Sequence, residues 1–157
     1  TAALALFKWR KGDLEQPAAL HKRGHVGWHE LFAVDWEQAW AFYSELFGWQ
    51  KAEADTSAMG TYQLFSAGGQ TIGGMLTKPA ALPVPFWLYY FNVGDINAAA
   101  RRVQAAGGQI LKGPVEVPGG NWIIHCTDPQ DAMFALVGNN GLGYFERVPR
   151  QAARPVR

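Results

Sequence analysis

Apolar and polar positions follow two periods along this chain, and the periods alternate in a fixed order. Trp28–Val34 and Trp87–Val93 are rich in aromatic and β-branched residues and read as strands. A helical period follows each. Trp36, Ala39, Trp40, Tyr43, Leu46 and Phe47 predict one helix, capped by Asp35 with Gln38 placed to complete a capping box, and stopped by Gly48. Ile96, Ala99, Ala100, Val103 and Ala106 predict a second, capped by Asp95 and stopped by Gly107-Gly108. Three more strands are predicted after each helix. They fall near Trp49–Thr56, Gly60–Ala67 and Gln70–Thr77, and near Gln109–Val117, Asn121–Thr127 and Ala132–Val137. Glycine pairs and Asp128-Pro129-Gln130-Asp131 supply the turns.

The order is a repeat. Asp35 and Asp95 are 60 residues apart, and the same shift lays Gly48 on Gly108, Tyr62 on Trp122, and Thr71–Thr77 on Asp131–Val137. The predicted fold class is α+β: two tandem β-α-β-β-β modules, residues 27–77 and 87–138, forming an eight-stranded curved sheet around a cavity. A proline-bearing linker, 78–86, joins them; residues 1–26 form an extension and 139–157 a basic tail. A tandem ferredoxin-like fold would need a second helix in each half, and Gln109–Val137 carries no helical stripe.

Composition narrows the function. At 157 residues with 48% hydrophobic and 17% charged positions, the chain forms a core without staples. A net charge of +1 gives no general attraction to nucleic acid or to an anionic membrane. No apolar run reaches the length of a membrane span, and the single cysteine, Cys126, fits a reducing, cytoplasmic setting. No phosphate-cradling glycine loop or Ser or Cys nucleophile stands out.

Several of these residues form motifs: Trp28-His-Glu-Leu31, Asp35, Ala41-Phe-Tyr43, Leu46-Phe-Gly-Trp49, Gly73-Gly-Met75, Gly113-Pro114, and Asp128-Pro129 before Ala132-Met-Phe134. With the duplicated topology they resemble the vicinal oxygen chelate superfamily, which includes glyoxalase I, extradiol dioxygenases and bleomycin-binding proteins. The likeness covers roughly residues 26–138 and is nearest to a glyoxalase-like subgroup often labelled hydroxylase. The resemblance implies a cavity cupped by the strands, a homodimer as an option and, in many relatives, a central divalent metal. Its ligand positions fall here on Trp28, Met75, Leu88 and Ala135, none a suitable donor, so no metal is expected in the usual place. An atypical metal site through His29 and Glu30 is the alternative, although strand alternation turns His29 away from the cavity.

Alternation also assigns the cavity lining. Trp28, Phe32, Met75, Leu88, Asn92, Met133 and Ala135 are the expected ligand-binding residues, joined by Trp122 as a stacking aromatic with core packing as the competing role, a largely apolar set suited to a small planar molecule. Glu30, Tyr90 and His125 are the candidate catalytic groups: a desolvated carboxylate, a phenol and an imidazole able to move protons near neutral pH. Two functions follow, a metal-independent small-molecule binder and an enzyme of lyase, isomerase or dioxygenase type. A third is a protein-interaction module using Trp9 and the basic tail.

Overall fold

The computed structural model describes residues 19–57 and 60–141, together with Ala5. Ten elements run in the order β1 (Val26–Ala33), α1 (Trp36–Phe47), β2 (Gln50–Ser57), β3 (Gly60–Ala67), β4 (Gln70–Thr77), β5 (Phe86–Asp95), α2 (Ile96–Ala105), β6 (Gln109–Glu116), β7 (Trp122–Thr127) and β8 (Met133–Asn139). The eight strands form one mixed sheet in the order β2-β3-β4-β1-β5-β8-β7-β6. The structure has the expected α+β architecture, curved and not closed. Among the described residues, no helix is long and apolar enough to cross a membrane.

Both helices start where the caps demand. Asp35 Oδ1 accepts from the amides of Glu37 and Gln38, and Asp95 Oδ1 from those of Asn97 and Ala98. Gln38 differs from expectation: its Nε2 donates to Asp35 Oδ2 instead of reaching back as a capping box. Gly48 ends α1 at φ 66°, a conformation that glycine adopts without strain.

The two halves meet edge to edge where β1 pairs antiparallel with β5. His29 faces Tyr89 there, flanked by the reciprocal pairs Trp28–Tyr90 and Glu30–Leu88. These partners are related by the 60-residue repeat, so His29 and Tyr89 sit on an approximate twofold axis. Beyond the seam the shift changes. Glu30 pairs with Gly74 and its counterpart Tyr90 with Ala135, 61 residues on. One extra residue has entered the second half before β7. Tyr62 therefore corresponds to Ile123, not to Trp122.

Both helices cover one face. Under α1 lie Leu31, Ala33, Phe65 and Met75, with Tyr43 above them. Trp49 stacks on Phe65 at 4.4 Å, and Trp87 Nε1 donates to Tyr43 at 3.2 Å. Trp36 and Trp40 pack on the same cluster and hold Lys51 Nζ at 5.1 and 5.7 Å from their rings. Under α2 lie Ile124, Cys126 and Leu136. The opposite, helix-free face buries a third cluster of Leu88, Tyr90, Ile123 and Ala135, edged by Trp28, Phe32, Phe86 and Val137.

Candidate functional site

Strand alternation puts Trp28, Glu30 and Phe32 of β1 on the helix-free face, beside Phe86, Leu88 and Tyr90 of β5. From β3 comes Tyr62, paired with Leu76, and from β7 His125, paired with Ala135. Five hydrogen-bonding side chains, Trp28, Glu30, Tyr62, Tyr90 and His125, thereby meet among apolar neighbours.

They form one hydrogen-bonded chain. Trp28 Nε1 donates to the Tyr62 oxygen at 2.9 Å, and Tyr62 donates to Glu30 Oε1 at 2.9 Å. Tyr90 donates to Glu30 Oε2 at 2.7 Å, and its oxygen lies 2.8 Å from His125 Nε2. Burial raises the Glu30 carboxyl above its ordinary range; the hydrogen bonds from Tyr90 and Tyr62 and the charge of Lys112 oppose this without reversing it. Burial, with Glu30 beside them, also raises both phenols. Burial and then Lys112 push His125 down to about 4, so at neutral pH its ring is uncharged. The site can thus hold a proton on a carboxyl, pass it through a phenol and present a neutral imidazole.

The expected binding residues divide. Trp28, Phe32, Leu88 and Ala135 come together on the helix-free face, and Phe86, stacked on Phe32 at 4.9 Å, joins them. Met133 lies on that face of β8 but is exposed. Met75 and Trp122 do not belong there. Met75 pairs with Leu31 and is buried beneath α1, while Trp122 packs into the α2 cluster. A constant 60-residue shift places Met75 on the inner face, and the extra residue turns that strand position over; Trp122 is expected there as an aromatic for stacking, with core packing as its competitor. Asn92 is committed elsewhere. Its Nδ2 donates to the carbonyls of Leu20 (2.5 Å) and His25 (3.1 Å), tying the segment before β1 to β5.

Tyr62 and Lys112 were not anticipated. Tyr62 stood out only as a repeat match, though its place opposite Leu76 follows once β3 and β4 are paired. Lys112 is opposite His125 on β6, where two register shifts break the alternation that would have revealed it.

The metal expected of many family members does not fit these residues. With Gly74 replacing Met75 at the inner position, the four ligand positions carry indole, hydrogen, isobutyl and methyl groups. A Cβ at Gly74 would collide with the Tyr62 ring, so the corner is filled by phenol. His29 cannot join Glu30 around an ion. It lies on the helix-covered face, with Nδ1 2.9 Å from the Ile72 carbonyl. Among the described residues, no group of three His, Cys, Asp or Glu side chains could hold a metal.

The fold and this face define a duplicated glyoxalase-like sheet with a carboxylate–tyrosine–histidine centre. Residues 22–136 match the Glyoxalase/Bleomycin resistance protein/Dioxygenase superfamily, and the chain belongs to that family. It is 30% identical over 133 residues to "Putative glyoxylase CFP32" of Mycobacterium tuberculosis, covering 85% of this chain and 51% of that protein. It is 28% identical over 127 residues to the anthracycline biosynthesis protein DauV of Streptomyces sp. strain C5, covering 72% and 46%. The chain thus spans about half the length of these curated relatives. Methylmalonyl-CoA epimerase from Mycobacterium tuberculosis shares the fold with a TM-score of 0.53 at 15% identity, covering 80% of this chain and 93% of that one.

Proposed function

We propose that the chain binds a small, largely apolar or aromatic organic molecule on the helix-free face and does so without a metal. The observation that carries this reading is the polar chain from Trp28 to His125, set among Phe32, Phe86 and Leu88. An aromatic rim with a few directional polar groups orients a small ligand. The relative named for anthracycline biosynthesis makes a planar, oxygenated aromatic a reasonable first probe. Cytoplasmic location suits the buried Cys126, whose thiol burial pushes up to about 11. A homodimer is part of the same proposal, and sedimentation would reveal it. The interaction-module alternative rests on Trp9 and the tail, outside the described residues.

The test is titration with 1,8-dihydroxyanthraquinone, followed by tryptophan quenching, before and after EDTA dialysis. Saturable binding, unchanged by EDTA, is expected. Phe32→Ala should weaken it roughly tenfold, about 1.4 kcal/mol, while Phe42→Ser on the exposed side of α1 should not. Absence of saturable binding, loss after EDTA, or equal effects of the two variants overturns the reading. Enzymatic use of the same face is favoured by the Glu30–Tyr90–His125 contacts.

A further inference from the structure

One phenol joins Glu30 to the His125 ring, through contacts of 2.7 and 2.8 Å. Tyr90 has a single proton to donate, and that fact couples the two ends. With Glu30 ionised, the phenol donates to the carboxylate, and His125 must offer Nε2–H to the phenol oxygen, leaving Nδ1 as a bare acceptor. With Glu30 protonated, its O–H donates to the phenol oxygen, Tyr90 donates to Nε2, and His125 carries its proton on Nδ1. Both states keep the imidazole neutral, as its burial and Lys112 require. Among the described residues the only side-chain hydrogen bond to the ring is at Nε2, and the buried side-chain polar atom without a partner is Thr127 Oγ1. Nδ1 is thus free to meet a ligand.

The surroundings favour transfer along this line. Tyr62 on β3 fixes the other carboxyl oxygen. Lys112 on β6 opposes an imidazolium. The adjoining positions on β4 and β8 are Gly74 and Ala135, neither of which titrates.

We propose that Glu30, Tyr90 and His125 form a proton relay with two ports, the Glu30 carboxyl and His125 Nδ1, which interconverts the keto and enol forms of a bound carbonyl compound without a cofactor. The substrate part rests on the ligand-binding reading above; the relay does not. In the enolising direction, His125 Nδ1–H protonates the carbonyl oxygen. Nε2 takes the Tyr90 proton, and Tyr90 takes the Glu30 proton. The freed carboxylate removes a proton from the carbon beside the carbonyl. The C–H pair becomes the carbon–carbon π bond and the carbonyl π pair becomes the new O–H bond. Glu30 and Tyr90 end protonated and His125 ends as its other neutral tautomer. Exchange with water then restores it: Glu30 releases a proton, and one taken up at Nδ1 returns along the relay.

The relay is tested on the full chain without ligand by 15N NMR of the His125 ring across the acid range. The expected result is a change from Nε2–H to Nδ1–H as Glu30 takes up its proton, before any imidazolium forms, and loss of that change in Tyr90→Phe. A single neutral tautomer throughout, direct conversion to imidazolium, or the same change in Tyr90→Phe overturns the relay. Exchange of the methylene protons of phenylpyruvate in deuterated buffer tests the activity. Wild type should exceed Tyr90→Phe and Glu30→Gln by about 100-fold. Equal rates in wild type and Tyr90→Phe overturn the catalytic proposal, whether or not the anthraquinone binds; binding without exchange leaves the binding reading standing alone.

Discussion

The phenol ring of Tyr62 occupies the space that a side chain at Gly74 would enter. The bare backbone at 74 allows Tyr62 to lie against β4 and reach Glu30. Gly74→Ala should displace the ring and destabilise the protein by about 1–3 kcal/mol, the usual cost of overpacking. Urea denaturation checks this. In the Tyr62→Ala background the added cost of Gly74→Ala should shrink, because the colliding ring is gone.

Glu30 gives stability a slope against pH. Its folded-state value is raised, so the folded protein holds a proton that the unfolded chain has already released. That contribution is complete below the ordinary carboxylate value and disappears as pH rises through the raised one. Glu30→Gln should flatten this part of the profile, measured as urea midpoints at successive pH values.

His125 produces the opposite slope. Its folded value of about 4 lies below the ordinary 6.5, so the unfolded chain takes up a proton first. Stability from this group is present above about 6.5 and is lost as pH falls toward about 4. His125→Asn should lessen the acid loss across that window in the same denaturation series.

Asn92 holds the approach to β1. Asn92→Ala removes the bonds to the Leu20 and His25 carbonyls. The His25 carbonyl keeps the Asn92 backbone amide as donor at 2.9 Å, so only the Leu20 carbonyl loses its partner, and the expected cost is about 0.5–1.5 kcal/mol. Hydrogen exchange should quicken at the Gly24 amide, which donates to the Asn92 carbonyl at 2.9 Å, while amides of β7 keep their protection.

The elements were legible because local chemistry sets them. Asp35 and Asp95 cap as their spacing requires, and Gly48 stops α1 in a left-handed turn. Trp28, Glu30 and Tyr90 share the helix-free face, as alternation requires, because they lie at the seam, where the repeat is regular. Met75 was misplaced because one inserted residue reverses strand parity, and composition carries no mark of it; Trp122 packs in the core beneath α2, the role that an aromatic side chain shares with ligand stacking. Asn92 read as a lining residue because alternation describes a strand without what packs over it. Tyr62 was reachable only through pairing with β4, a long-range fact.

The seam near His29 and Tyr89 has a consequence for how such a centre could arise. Two identical subunits joined about a twofold would place like residues at positions 30 and 90: two acids repelling each other, or two phenols with nothing to serve. Joining both copies in a single polypeptide lets mutation act on one without the other. An acid on one side and its proton carrier on the other is a specialisation that a symmetric ancestor could not encode.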